Sequence, residues 1–125
     1  MGERQIILWR HGRTSWNAER RFQGQSDIEL DDEGRAQAER AAELLAYLEP
    51  DRIIASDLAR AWATAQALSA RTGVQVTADA RLRETFAGEW EGLSRAELLE
   101  RHGDEVARWA SDSAARPGGG ETRIE

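Results

Sequence analysis

Gln5-Ile6-Ile7-Leu8-Trp9-Arg10-His11-Gly12 is the stretch from which the fold is read. Its short unbroken apolar run gives way at once to a polar Arg-His-Gly turn, which predicts a buried strand over residues 5–9. Further along, Ala38, Ala41, Leu44, Leu45 and Leu48 recur at three- and four-residue steps between Asp32 and Leu48, the period of a helix, with Asp31 as its N-cap and Pro50 beyond its end. Ile53-Ile54-Ala55 predicts a second strand. Ser56 or Asp57 is then expected to cap a helix that carries Leu58, Ala61, Trp62, Ala65 and Leu68 on one face and stops at Gly73. Val74 to Thr77 predicts a third strand. Ser94-Arg95-Ala96-Glu97 matches a capping box that opens a helix to about Gly103, with a further helical stretch around Val106 and Trp109. Strands alternating with helices predict βα units and a mainly parallel sheet, an α/β fold. The segment Arg116-Pro117-Gly118-Gly119-Gly120 is expected as a loop, and Glu121-Thr122 as the start of another helix.

Composition limits what such a fold can do. The 125 residues suit one small domain, and Leu, Ile, Val and Phe together supply only 22 of them, so the core is expected to be thin and rich in alanine. All 17 basic residues are arginine, which removes a lysine Schiff base or nucleophile and the phosphate-loop lysine motif. The absence of cysteine removes disulfides, thiolate phosphatases, iron–sulfur clusters and zinc fingers. A net charge of −6 with no basic stripe argues against nucleic acid as a partner. No apolar run approaches the ~20 residues needed to span a bilayer, so no membrane association is expected and a cytoplasmic location is.

Ligands of open parallel sheets bind beyond the carboxyl ends of the strands, so the residues just after each strand are the candidates for chemistry. Arg10, His11 and Gly12 come after the first; Ser56, Asp57 and, within a helical turn, Arg60 after the second; Arg83 and Glu84 after the third. Two guanidiniums, which stay charged at any working pH and grip oxyanions in a fork, suit a phosphoryl group. A neutral imidazole in line with the leaving oxygen can attack phosphorus and form a phosphohistidine, and His11 is the candidate. The departing alkoxide needs a proton; a partly buried carboxyl could supply it and then activate water, and Glu84 takes that role. Trp62 reads as core, Arg35, Arg40 and Arg71 as surface charge, Asp31-Asp32-Glu33 as a helix start, and His102 as a helix-end histidine. From the residues alone Asn17 reads as a local cap, and Gln23-Gly24 as a tight turn.

Arg10-His11-Gly12-Arg13-Thr14, then Asn17, then Arg21-Phe22-Gln23-Gly24 with Asp27 and Leu30, resemble the opening of the histidine phosphatase superfamily, also called phosphoglycerate mutase-like. Ser56-Asp57-Leu58-Ala59-Arg60-Ala61 with Thr64-Ala65, and Leu82-Arg83-Glu84 with Gly88-Glu89-Trp90-Glu91-Gly92, resemble its next two signature blocks. The resemblance implies a three-layer αβα sandwich, His11 as the phosphorylated nucleophile, Arg10 and Arg60 as the phosphate grip and Glu84 as acid and base. It also implies that Asn17, Gln23 and Gly24 line the substrate pocket, and that neither metal nor cofactor is required.

Two departures from the family pattern stand out. Arg13 occupies a position that is usually Glu. The family's second catalytic histidine, in a Ser-His-Gly context at the end of a later strand, has no counterpart, and Gly120-Glu121-Thr122 resembles the Gly-Glu-Ser that precedes that region. The expectation is therefore an N-terminal, C-terminally incomplete portion, with residues 1–111 as the histidine phosphatase domain and 112–125 as a Gly/Pro-rich loop and the start of a truncated helix. The leading reading is a phosphomonoester hydrolase acting on a small phosphorylated metabolite. The short Gly88-to-Gly92 segment sets it apart from a mutase-type phosphotransferase, and a catalytically inactive phosphate-binding or interaction module is the alternative from another class.

Overall fold

The structure, a computed structural model, describes residues 4–122. In chain order these form α1 (Ser15–Ala18), α2 (Asp32–Ala46), β1 (Ile53–Ala55), α3 (Ala59–Thr72), β2 (Val76–Ala78) and α4 (Arg95–Ser111), with 3₁₀ turns at Ala80–Leu82, Gly88–Trp90 and Pro117–Gly119. β1 and β2 pair in parallel, Ile53 opposite Val76 and Ala55 opposite Ala78. A parallel pair needs a long crossover, and α3 provides it. α3 lies against both strands and α2 packs along α3.

The helix signals act where the sequence places them, with one exception. The Asp31 side chain accepts the Gly34 N–H at 2.7 Å, and Asp32 and Glu33 sit at the positive end of α2. α3 ends on Gly73 at φ 78°, a left-handed conformation that costs glycine little. The exception is the cap of α3, where Leu58 stands in place of Ser56 or Asp57. Ser56 Oγ accepts the Leu58 N–H just outside the helix, at 3.2 Å. The first amide of the helix, Ala59, donates to Asp27 at 2.7 Å. Asp57 is drawn instead into two bonds with Arg83, at 2.7 and 2.6 Å, because a forked guanidinium offers a carboxylate more than one amide does. α4 divides as expected: His102, at φ −136° and ψ 28°, is non-helical and kinks the element into a first stretch and a second one that carries Val106 and Trp109.

The strand expected over residues 5–9 is absent. Ile6 and Leu8 are 90% and 93% exposed, and of this run only Trp9 packs against the core. A strand exists through its neighbours: among the described residues β1 pairs only with β2, and no strand lies alongside residues 5–9 to hydrogen-bond them or to give their side chains a face to bury. The third strand forms as Val76–Ala78, the register that meets β1, and Val74 packs at the edge of the core.

Two small cores hold the chain. In the first, Leu30, Ile53, Leu68 and five alanines pack between α2, α3 and β1, as the composition anticipates. In the second, Trp90 and Leu98 are buried against the partly buried Phe22 and Trp109, and the rings of Phe22, Trp90 and Trp109 meet edge to face at 5.7–6.0 Å. Residues 117–121 close over this second core. Gly118, at φ 58°, presses its backbone against Ala87, Glu89 and Trp90, and the Glu121 N–H donates to the Phe86 carbonyl at 2.8 Å. Glu121 and Thr122 are not helical, and the rest of the helix expected there lies outside the described residues. No helix among the described residues is long and apolar enough to cross a membrane.

Candidate active site

The Arg10-His11-Gly12 turn is fixed from two sides. Gly12 lies so close to the Gly34 carbonyl of α2 that any β-carbon there would overlap it. Its N–H donates to Thr64 Oγ1 at 3.1 Å, and that hydroxyl donates to the Arg60 carbonyl one turn back in α3, at 2.8 Å. The turn is therefore tied to the helix that carries Arg60.

His11 is half-buried, and its Nδ1 stands 2.6 Å from the Gly12 carbonyl oxygen. A carbonyl only accepts, so Nδ1 carries the proton and Nε2 of the neutral ring keeps its lone pair. Burial pushes the imidazole below its ordinary value of 6.5; the Gly12 carbonyl opposes this, the charges of Arg60 and Arg10 reinforce it, and Glu84 opposes it. The groups that sequence places after three separate segments thus act on one another electrostatically.

Arg60 is 1% exposed. Its Nη1 donates to the Ser26 carbonyl and its Nη2 to the Gly24 carbonyl, both at 2.6 Å, which uses two of its five N–H groups. Burial lowers its proton affinity, and the carboxylates of Glu84, Asp27 and Glu91 restore part of it. Arg10 is exposed at the cleft. Glu84 is exposed as well, so the burial expected of it is absent. It stands after the Ala80–Leu82 turn on an irregular segment at the rim, and its carbonyl accepts Gln25 Nε2 at 3.2 Å.

Asn17 is a cap and also a lining residue. Its Oδ1 accepts the Thr14 N–H at 2.9 Å while Thr14 Oγ1 accepts the Asn17 N–H at 3.1 Å, a reciprocal capping box that starts α1. Thr14 Oγ1 also donates to Gln23 Oε1 at 2.6 Å, so one fully buried hydroxyl fixes both polar side chains. All seven candidate residues, Gly24 among them, line a single open cleft. Sequence reasoning missed the supporting roles of Thr14 and Thr64. That of Thr14 was findable, since it stands three residues before Asn17 at capping-box spacing, whereas nothing local announces that Thr64 meets Gly12. Among the described residues no cluster of three or more His, Asp or Glu is placed to hold a metal ion.

The chain resembles known proteins over nearly its whole length. The sequence profile of the histidine phosphatase superfamily (branch 1) matches residues 6–125. The glucosyl-3-phosphoglycerate phosphatase of Mycobacterium tuberculosis is 44% identical over 126 residues, covering 100% of this chain and 56% of the relative. A 2,3-bisphosphoglycerate-dependent phosphoglycerate mutase of Caulobacter vibrioides is 43% identical over 110 residues, covering 83% of this chain and 46% of the relative. Among solved structures, a mycobacterial glucosyl-3-phosphoglycerate phosphatase in complex with VO3 superposes with a TM-score of 0.84 at 46% identity, covering 91% of this chain and 57% of that one. The fold is thus the α/β fold of phosphoglycerate mutase-like proteins, and the chain spans about half the length of the curated relatives it matches.

Proposed function

Because the chain belongs to the histidine phosphatase superfamily (branch 1), we propose that it performs phosphomonoester hydrolysis through a phosphohistidine at His11. The observation that carries this reading is the bond from His11 Nδ1–H to the Gly12 carbonyl, which leaves Nε2 as an unprotonated nucleophile in a cleft shared with Arg10, Arg60 and Glu84. In the first step Nε2 attacks phosphorus, the new P–N bond replaces the ester P–O bond, and Glu84 gives its proton to the leaving alkoxide. In the second, the Glu84 carboxylate takes a proton from water as the water oxygen attacks phosphorus; the P–N bond breaks, inorganic phosphate leaves, and both residues are restored. Arg10 and the remaining N–H groups of Arg60 offset the charge of the transferring group. Asn17, Gln23 and Gly24 line the pocket, and no step calls for a metal or cofactor.

The substrate class is a small phosphorylated metabolite, and the names of the mycobacterial relatives make glucosyl-3-phosphoglycerate the first to try. Hydrolysis is favoured over mutase transfer by the short segment from Gly88 to Gly92. A cytoplasmic place of action belongs to the same proposal, since the charges on such esters keep them inside a membrane.

Incubation with p-nitrophenyl phosphate tests the reading. It expects released phosphate, an acid-labile phosphoprotein, and loss of both in His11→Ala. Phosphate binding without either signal would replace the enzyme with a phosphate-binding module.

A further inference from the structure

The Gly88-Glu89-Trp90-Glu91-Gly92 segment contains a carboxylate that the phosphoryl chemistry does not use. Glu91 is half-buried, and its two oxygens accept from three donors on two segments. Oε2 accepts the N–H of Gln25 and of Ala87, each at 3.0 Å, and Oε1 accepts the Ser26 hydroxyl. Gly24, at φ 53°, comes so near that a β-carbon there would overlap Oε2. Glu91 therefore clamps residues 24–26 against the 87–91 turn.

The clamped loop presents a pair of carbonyls, those of Gly24 and Ser26, and both are taken by Arg60. With one Nη on each, the plane of the guanidinium is set by the loop as much as by α3. Glu91 also adds its charge to those facing Arg60. We propose that Glu91 is a positioning residue for the phosphate grip: by holding residues 24–26 it fixes the orientation of the Arg60 guanidinium beside His11. The inference rests on the reading of Arg60 and His11 as a phosphoryl site and names the residue that sets that site's geometry.

Two substitutions separate the clamp from simple support of the fold. Glu91→Ala removes all three bonds. Glu91→Gln keeps an acceptor oxygen for the two amides and places an NH2 group where Ser26 Oγ can accept, so the clamp survives without the charge. The measurements are inorganic phosphate affinity and the NMR signal of the Arg60 Nε–H group.

Glu91→Ala is expected to weaken phosphate binding on the order of 10-fold, the size seen when the partner that orients a ligating side chain is removed, and to shift or broaden the Arg60 signal. Glu91→Gln is expected to restore most of both. In an Arg60→Ala background, Glu91→Ala is expected to change phosphate affinity little, because the group it orients is gone. An equal loss in that background, or an Arg60 signal unmoved by Glu91→Ala, overturns the proposal. Should Glu91→Ala fail to fold, Ser26→Ala cuts one of the three straps and is put through the same cycle, with a smaller loss expected. If the parent chain binds no phosphate, the phosphoryl reading fails, and the Arg60 signal alone still decides whether Glu91 positions that side chain.

Discussion

His11 shows how much a single contact settles. Its bond to the Gly12 carbonyl selects the tautomer, and its surroundings favour the neutral ring, so the form that can attack phosphorus persists into mildly acidic solution. Titration of His11 followed by NMR is expected to give a midpoint below 6.5, and Arg60→Ala is expected to move it upward by removing one of the opposing charges. The same depression has a sign for stability. Between the folded midpoint and 6.5 the unfolded chain binds more protons than the folded one, so the contribution of His11 is complete above 6.5 and is lost as pH falls through that window. Denaturation midpoints that stayed flat across this range would count against a depressed His11.

At the scale of elements, the long-range cap of α3 by Asp27 is the contact most open to measurement. Asp27→Ala leaves the Ala59 N–H without its carboxylate and is expected to cost about 1 kcal/mol, the usual worth of a lost N-cap. Urea denaturation reads this directly. The turn at residues 117–119 offers a paired comparison. Gly118 and Gly119 both have positive φ, yet Gly118 faces backbone atoms of Ala87, Glu89 and Trp90 while Gly119 faces open space. Gly118→Ala is therefore expected to cost about 3 kcal/mol, conformational strain plus a clash that no side chain can relieve. Gly119→Ala should cost only about 1 kcal/mol, the strain alone. Equal costs would mean that the packing of this segment on the 86–90 turn does not persist in solution.

For the whole molecule, cohesion is uneven. α2, α3 and the two strands share one alanine-rich core, and the aromatic trio holds α4 and the closing segment in another, while residues 5–9 have an apolar composition and little to bury it against. Hydrogen exchange is expected to reflect this, with amides of residues 5–9 exchanging with little protection and those shared between Ile53–Ala55 and Val76–Ala78 persisting. Protection of residues 5–9 comparable to that of β1 would show that the run has found a partner in solution.

The helices are legible in the chain alone, since periodicity, Asp31, Gly73 and Ser94 are local signals acting over a turn or two. The candidate site is legible in the same way, because Arg10-His11-Gly12, Arg60 and Glu84 each stand beside a recognisable motif. Contacts between distant segments settled the rest: Asp27 rather than Asp57 caps α3, Thr14 and Thr64 hold the site together, Glu84 is exposed, and residues 5–9 form no strand. Each of these depends on which distant group arrives to compete for a donor, an acceptor or an apolar face. An amide or a run of isoleucines does not carry that information in its neighbours along the chain.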